Sequence, residues 1–381
     1  MQSAKAKTNM QQFCKNVVTV PDHWKESCVG TECSLHQLSP YIGKLKSSIA
    51  RDLVATYSKP GDLVVDPFSG SGTVALEALL QGRRAFTSDI SAYAKILCEA
   101  KLKPPPSLEC ALEKAEDILS QSHKLPDPDL RKVPAWVRQF FHPRTLKEAI
   151  KFATVCKKDE NNFLFACFLG ILHHQRPGFL SYPSSHLVPY LREKKYPRDQ
   201  FPELYQYREL RSRLLSKIRR AYARCPEIPT NGNSIHKYCS VSSLNLPESF
   251  DCLITSPPYM NALDYNRDNR LRLWFINPNY SVAEGDKVIQ KQEAFKITIA
   301  SLIKKVNLSL KTNGYCVIIV GERIARCCER LGRKIPCNIV TDYAPSLKLL
   351  EVMEDHIPDN RRSRRDYKGT KTEHFLIFQK V

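Results

Sequence analysis

The amino-acid sequence predicts an α/β fold, an open sheet of mainly parallel strands with helices on its faces and one mostly helical insertion. Short apolar runs alternate with amphipathic helical stretches over residues 46–104, which is the pattern of a parallel sheet. A proline-rich stretch, KPPPSLE, interrupts this alternation at Lys103. Apolar runs typical of strands return after residue 234. The residues between, 105–233, are therefore predicted to interrupt the sheet with helices.

The elements of the first half follow one another in alternating order. KSSIARDLVATYS carries its apolar residues at helical spacing and ends at the turn Pro60-Gly61. LVVDPF is a short apolar run typical of a buried parallel strand. SGSGTVALEALLQG predicts a glycine turn and a helix that ends at Gly82, and RAFTSDI with SAYAKILCEAKL repeats the strand and the helix. SFDCLITSPPY, GYCVIIVG and HFLIFQKV predict three later strands.

The balance of charge is strongly basic. The chain has 58 lysine and arginine residues against 39 aspartate and glutamate residues, a formal net charge of +19. Such an excess favours a polyanionic partner, because each neutralised phosphate releases condensed counterions. Charge alone does not separate nucleic acid from an anionic membrane surface.

The fourteen cysteines are scattered over a sequence whose N-terminus lacks the apolar core of a secretory signal. They are expected to be free thiols in a reducing compartment, which predicts an intracellular, cytoplasmic protein. No apolar run reaches the roughly 18 residues that cross a bilayer, so no membrane association is expected. Cys28, Cys33 and His36 come closest to a metal pattern, but no second C-x-x-C pair accompanies them. No metal site is predicted.

The first candidate site is the stretch from Asp66 to Thr73, DPFSGSGT, directly after a predicted strand. Glycines there allow a ligand to approach the backbone, and the following helix offers free amide groups. The Lys-Ser/Thr pair of a phosphate-binding P-loop is missing, and Ala75 replaces the third glycine of the dinucleotide fingerprint. Asp89, at the end of the next strand, can bind the ribose hydroxyls of an adenosine-type cofactor. A purely structural glycine turn is the alternative.

The second candidate site is Thr255-Ser256-Pro257-Pro258-Tyr259, at the end of another apolar strand. The two prolines fix the backbone and remove two donors, while their carbonyl groups still accept hydrogen bonds. Ser256 adds an acceptor, and the ring of Tyr259 can stack on a planar base. The motif therefore suits an amino group and the flat ring that bears it. The alternative interpretation is a rigid turn that ends the strand.

Together these motifs resemble the DNA amino-methyltransferases, the family that makes N4-methylcytosine and N6-methyladenine. The resemblance rests on KPGDLVVDPFSGSGTVALEALLQGRRAFTSDIS, on DCLITSPPYMNALDY and on SPYIGKLKSSIARDL, with weaker similarity in HIPDNRRS and TEHFLIFQK. It covers about half of the chain, and the insertion lies outside it. It implies a Rossmann-like sheet and S-adenosylmethionine as the cofactor.

The resemblance also implies roles for individual residues in binding that cofactor. Thr73 would lie near the methionine carboxylate, and Asp89 would hold the ribose. Lys44, with Tyr41, would line the methionine end. The full set implied to bind the cofactor is Tyr41, Asp66, Pro67, Phe68, Gly70, Gly72, Thr73, Asp89 and Ile90.

The catalytic residues that the resemblance implies are Ser256, Pro257, Pro258 and Tyr259. Ser256 and the Pro257 carbonyl would accept hydrogen bonds from the target amino group, and Tyr259 would stack on a base that has left the helix. Transfer would be a direct in-line displacement. Serine at the head of the motif favours N4 of cytosine, and N6 of adenine is the alternative.

One stretch departs from the family pattern. The strand before SFDCL normally ends in a Gly-Asp pair that contacts the adenine of the cofactor, but here it reads Tyr238-Cys239-Ser240-Val241. Ser240 or Asp117 would take this role, or the affinity for the cofactor would be reduced.

The insertion lies where the order of the motifs places a target-recognition region. Its basic residues recur at a helical spacing suited to phosphates or base edges, although each one taken alone is better explained by a solvated helix face. They are Arg208, Arg211, Arg213, Lys217, Arg219 and Arg220. Asn261, Asp264 and Tyr265 are further candidates for holding the base, and RRSRR at 361–365 is a second basic segment.

Four segments are predicted from these observations. Residues 1–35 form an N-terminal extension or loosely packed cap, 36–104 the cofactor-binding part, 105–233 the helical insertion and 234–381 the catalytic part. The predicted function is methylation of cytosine N4 in duplex DNA, within a restriction-modification system and with a cognate endonuclease as a possible partner. The alternatives are adenine N6 methylation, an RNA or protein methyltransferase, or a non-catalytic nucleic-acid-binding protein. The sequence does not predict an oligomeric state.

Overall fold

A computed structural model describes residues 17–173, 178–182, 196–228, 234–259, 265–279, 292–322, 331–357 and 372–381. Within these ranges eight strands form one sheet. They are β1 (Val17–Thr19), β2 (Leu63–Asp66), β3 (Arg84–Asp89), β4 (Ile235–Tyr238), β5 (Phe250–Thr255), β6 (Leu310–Gly321), β7 (Leu347–His356) and β8 (Thr372–Lys380).

The strands lie in the order β1-β7-β8-β6-β5-β2-β3-β4. Every neighbouring pair is parallel except those of β8, which runs antiparallel to both β6 and β7. Along the chain, β2, β3 and β4 follow one another toward one edge of the sheet. β5 lies on the other side of β2, and the strands that follow it lie toward the opposite edge. The order of the strands therefore reverses between β2 and β5, and in open α/β sheets ligands bind beside the carboxyl ends of the strands at such a point.

Helices cover the sheet and fill the insertion. Those described are α1 (Ser47–Tyr57), α2 (Thr73–Leu80), α3 (Ala92–Leu102), α4 (Leu108–Lys124), α5 (Ala135–Arg138), α6 (Pro143–Lys158), α7 (Asn162–Ile171), α8 (Leu210–Tyr222), α9 (Tyr265–Ile276), α10 (Gln292–Ser309) and α11 (Leu331–Tyr343). None of the helices in the described ranges combines the length and the apolarity that a membrane span requires.

The inner strands are buried on both faces. Val64 packs in a core with α1 and α2, whereas its neighbour Val65 packs in the core on the opposite face, with α10 and α11. Successive side chains of a strand alternate between faces, so a strand covered on both sides reads as a continuous apolar run. This confirms the predicted α/β fold and explains why LVVDPF shows no alternation.

The described part of the insertion is mostly helical, as predicted, and it shares a core with the sheet domain. Helices α4, α6, α7 and α8 pack their apolar faces with α3 around residues such as Phe152, Phe168 and Leu214. The short 3-10 helix Ser34–Gln37 joins this core through Leu35. The N-terminal segment is therefore better packed than expected from Val17 onward, since it also contributes β1, which pairs with β7.

Helix α7 approaches this N-terminal segment at a glycine. A Cβ atom added at Gly170 would lie 2.0 Å from the carbonyl oxygen of Leu38 and 3.2 Å from Cε of Lys217. The first neighbour is a backbone atom, so it cannot rotate away. Gly170 therefore allows α7 to lie directly against the segment that follows Ser34–Gln37.

We expect Gly170→Ala to destabilise the protein by about 1–3 kcal/mol, the usual cost of overpacking a core. In an isolated helix the same change would stabilise by about 1 kcal/mol, so the predicted sign is opposite to that of helix propensity. Urea unfolding measures the difference. Gly30→Ala is the matched control, because no atom lies within 4 Å of its added Cβ. A Gly170→Ala protein as stable as that control would contradict the close approach of α7 to Leu38.

Candidate active site

The two sequence motifs meet where the strand order reverses. Asp66 ends β2 and Thr255 ends the adjacent strand β5. The Thr255 hydroxyl donates a 2.7 Å hydrogen bond to Oδ1 of Asp66, and the backbone amide of Phe68 donates to the same oxygen at 3.3 Å. The glycine turn after β2 and the SPPY loop after β5 therefore begin side by side.

Asp66 is almost completely buried, with only 4% of its surface exposed. Burial raises the pKa of its carboxyl group to about 7, and the negative charge of Asp89 acts in the same direction. The hydrogen bonds from Thr255 and Phe68 act the other way but do not overcome burial. A buried carboxyl group with its pKa near neutrality is a common feature of functional sites.

The glycine turn is held in a conformation that other residues adopt poorly. Gly70 and Gly72 have φ angles of +47° and +71°. An added Cβ at Gly72 would lie 2.9 Å from Sγ of Cys98 on α3, and one at Gly70 would lie 3.2 Å from the Tyr41 ring. The turn is thus enclosed by α3 below and by Tyr41 beside it, which leaves its backbone as the surface offered to a ligand.

The turn is also anchored from below by polar contacts. Lys101 is buried and its ammonium group donates to the carbonyl oxygen of Ser71. Burial, with the positive charge of Lys44, lowers the pKa of Lys101 to about 7. The Ser71 hydroxyl lies 3.1 Å from that of Thr73, whose side chain is buried at the start of α2.

Asp89 links the turn to the end of β3. Its Oδ2 accepts a 2.9 Å hydrogen bond from the amide of Gly70, and its Oδ1 accepts a 2.8 Å bond from the amide of Ser91. The carboxylate is therefore oriented by backbone groups on both sides. Ile90 follows at the mouth of the site with 37% of its surface exposed.

The rest of the implied cofactor set surrounds this turn. Pro67 is buried, and its carbonyl oxygen accepts a 3.1 Å bond from the hydroxyl of Ser88, while Phe68 packs partly against the core beside α10. The Tyr41 ring stacks on that of Tyr93 with 5.7 Å between centroids. Lys44 donates to the carbonyl oxygen of His36 at 3.0 Å, which ties it to the N-terminal segment.

The SPPY loop carries Ser256 and Tyr259 at the other side of the reversal point. Both side chains are half-buried, as is Pro258, whereas Pro257 is buried. The Tyr259 hydroxyl donates a 2.8 Å hydrogen bond to Oε1 of Glu373 on β8, and the Ser256 hydroxyl lies 3.5 Å from the Tyr259 oxygen.

Several other residues singled out in the sequence have clear positions. Ser240 follows β4, and the amide of the preceding residue, Cys239, donates to the carbonyl oxygen of Asp89 at 3.1 Å. Asp117 lies on an exposed face of α4, where its carboxylate accepts bonds from Gln121 and Lys114. Asn261, Asp264 and the basic segment 361–365 lie outside the described residues. The backbone of Tyr265 begins α9.

The basic residues of the insertion divide into two groups. Lys217 donates to the carbonyl oxygen of Gln37, Arg208 to that of Phe179 at 3.0 Å, and Arg213 to that of Glu209 at 3.1 Å. Arg211 pairs with Glu116. All four partners belong to this protein, and binding of phosphates or base edges by these residues stays a prediction. Arg219 and Arg220 are exposed.

Four residues at the site received no role from the sequence. Thr255 and Glu373 contact the two motif residues Asp66 and Tyr259, and Cys98 and Lys101 lie under the glycine turn. The helical spacing of Cys98 and Lys101 puts both on one face of α3. That spacing was the only feature of the sequence that indicated a shared position for the two side chains. Nothing in the sequence linked Glu373 to a loop 114 positions away.

Comparison with known proteins agrees with this geometry. Residues 2–99 match a family model described as DNA methylase. The Type II methyltransferase M.BsoBI of Geobacillus stearothermophilus is 25% identical over 287 residues, which covers 64% of this chain and 53% of that protein. The Type II methyltransferase M.MjaII of Methanocaldococcus jannaschii is 30% identical over 69 residues, 18% of this chain and 13% of that protein. The chain thus spans about half of the length of M.BsoBI.

Among solved structures, a SAM-dependent methyltransferase from Methanosarcina mazei aligns over 86% of this chain and 97% of its own, with 12% identity and a TM-score of 0.35. Because this structural similarity is low, the description of the fold rests on the strand order and not on this comparison. The match of the cofactor-binding part to the DNA methylase model and the similarity to two Type II methyltransferases agree with the motifs that meet between β2 and β5. These findings support the DNA amino-methyltransferase family for this chain, with S-adenosylmethionine as the cofactor.

Proposed function

We propose that this protein transfers a methyl group from S-adenosylmethionine to the N4 amino group of cytosine in duplex DNA. The observation that carries the proposal is the hydrogen bond from Thr255 to Asp66, which places the starts of the glycine turn and the SPPY loop side by side. A donor held at the first and a base held at the second would be adjacent, and such positioning is the main requirement of a direct transfer.

The residues around the glycine turn fit the cofactor. The Asp89 carboxylate ends β3 and is oriented by two backbone amides, and it would accept hydrogen bonds from the ribose hydroxyls. Gly70 and Gly72 have no side chains, so a ligand can approach the backbone of the turn, and the Tyr41 ring lies beside it. Bound there, S-adenosylmethionine would supply an activated methyl group. For the adenine we propose Ser240, because it adjoins the residue bonded to Asp89, whereas Asp117 is engaged on an exposed helix.

The SPPY loop provides acceptors and a stacking surface for the base. Neither Pro257 nor Pro258 has a backbone N–H, so each contributes only a carbonyl acceptor, and the Ser256 hydroxyl adds another acceptor. Two acceptors directed at one amino nitrogen orient its lone pair and favour its developing positive charge. The half-buried Tyr259 ring can stack on the base. A paired base cannot reach this loop, so we propose that the target leaves the duplex before reacting.

The choice of base rests on Ser256, which stands where an Asp or Asn favours adenine. Incubating the protein with labelled S-adenosylmethionine and duplex DNA, followed by nucleoside analysis, tests it directly. N4-methylcytosine is expected. N6-methyladenine would retain the mechanism but would show that the target base is adenine. Transfer to RNA alone would show that RNA, not DNA, is the substrate. Binding of S-adenosylmethionine without transfer would indicate a non-catalytic protein. The names of the Type II relatives support a role in restriction-modification, with a cognate endonuclease as partner.

We expect Asp89→Ala to weaken binding of S-adenosylmethionine by about 1.5–3 kcal/mol, the range for a hydrogen bond to a charged group. Calorimetry on the folded variant measures it. Asp117→Ala is the control, since its carboxylate is exposed and engaged within α4. Unchanged affinity in Asp89→Ala would remove Asp89 from the site, and weakened affinity in Asp117→Ala would restore Asp117 as the adenine contact.

We expect Ser256→Ala to lower kcat by about 100-fold or more, since it removes an acceptor at the position where charge develops. Tyr259→Ala should also weaken capture of the base, because stacking contributes about 1–3 kcal/mol. Tyr259→Phe should keep more activity than Tyr259→Ala, since the ring remains. Methyl-transfer assays and cofactor binding on the same samples measure these effects.

If the SPPY loop were only a rigid turn, the losses of activity would follow the losses of thermal stability across these variants. A stable Ser256→Ala protein with full activity would contradict the proposed mechanism.

Exposed arginines of the insertion should contribute to nonspecific binding of duplex DNA. We expect Arg219→Ala with Arg220→Ala to reduce the log–log salt slope of binding by about 1.8, which corresponds to two phosphate contacts. Arg211→Ala is the control and should change it less, because Glu116 already neutralises that side chain. Equal slopes in the double variant and the wild type would place the DNA-binding surface elsewhere.

A further inference from the structure

The hydroxyl group of Tyr259 is held by a strand far from its own loop. It donates to Oε1 of Glu373 across 2.8 Å, and Glu373 is the second residue of β8. Tyr259 belongs to the loop after β5, from which β8 is separated in the sheet by β6. The contact therefore connects the SPPY loop to a strand that is not adjacent to β5 in the sheet.

The backbone beneath Glu373 is rigid. In the sheet register Glu373 pairs with Gly321 of β6 on one side and with Asp355 of β7 on the other. The next residue, His374, is fully buried, and its Nε2 lies 2.6 Å from Oε2 of Glu354. Since β8 has a hydrogen-bonded strand on both sides, Glu373 is a better fixed anchor than any group on a loop.

The contacts also have a direction. An ionised carboxylate only accepts hydrogen bonds, so the Tyr259 hydroxyl is the donor in its bond with Glu373. Its oxygen can then accept from Ser256, which lies at 3.5 Å, the outer limit of such a bond. A serine whose proton points toward Tyr259 presents its lone pairs to the other side. The proposed mechanism requires an acceptor for the target amino group on that side.

We propose that Glu373 is a positioning residue that holds the Tyr259 ring in place and orients the Ser256 hydroxyl as an acceptor. This inference rests on the proposed methyl transfer to DNA and extends it to a residue outside both motifs. A purely structural Glu373 would stabilise the end of β8 without any dependence on the tyrosine hydroxyl. The two cases differ in how variants at positions 373 and 259 combine.

A double-mutant cycle separates them. Glu373→Ala and Tyr259→Phe should each lower kcat/KM for duplex DNA by about tenfold, the effect of losing one hydrogen bond to a charged group. The variant with both changes should be no worse than either single variant, because each change removes the same bond. Glu373→Gln should stay within about threefold of wild type, since its amide oxygen still accepts from the tyrosine.

Thermal unfolding of every variant is recorded alongside. If Glu373→Ala does not fold, Glu373→Asp replaces it in the cycle, because a side chain shorter by one carbon breaks a 2.8 Å contact while it keeps the charge. Gln379→Ala is the matched control, as a polar position on the same strand whose amide contacts Asn313 at the far end. It should leave kcat/KM unchanged.

Losses that multiply to about a hundredfold in the double variant, or wild-type activity in a folded Glu373→Ala protein, would overturn the positioning role. In both cases the wild-type protein methylates DNA, so the proposed function stands. A wild-type protein that transfers no methyl group to DNA would overturn the proposed function and this inference together.

Discussion

The site depends on one buried hydrogen bond, from the last residue of β5 to the last residue of β2. Thr255 and Asp66 are separated by 189 positions in the chain, and the whole insertion lies between them. A buried carboxyl group without partners costs a few kcal/mol, so the two strand ends cannot move apart cheaply. The bond thus fixes the distance between the loop that would hold the methyl donor and the loop that would hold the base. The raised pKa of Asp66 is the other result of the same burial.

Much of this architecture could be predicted from the sequence, because it depends on local patterns. β2 is a short and mainly apolar strand because both of its faces are covered. The glycine turn could be predicted because Gly70 and Gly72 stand where the backbone adopts positive φ angles. The order of β2, α2, β3 and α3 followed from periodicity. The resemblance to the DNA amino-methyltransferases named Asp89, Ser256 and Tyr259, and the structure places these residues around the point where the strand order reverses.

What could not be predicted depends on contacts between distant segments. Lys217 and Arg219 are two positions apart on α8, yet the first is engaged by the carbonyl of Gln37 and the second is exposed. Periodicity identifies the helix but does not say which segment packs against each face. Lysine is a residue type that usually lies on the surface. The burial of Lys101 under Ser71 follows only from the packing of α3 against the glycine turn. Glu373 reaches the site through the sheet register, which a single sequence does not reveal.

The position of β8 has a consequence for how the sheet is held together. β8 follows β7 along the chain but lies between β6 and β7, so β7 and its outer neighbour β1 are connected to the rest of the sheet through β8. β8 pairs antiparallel with both of its neighbours, and it carries Glu373. A separation of β8 from β6 would therefore detach the β7–β1 edge and would also remove the carboxylate that Tyr259 contacts.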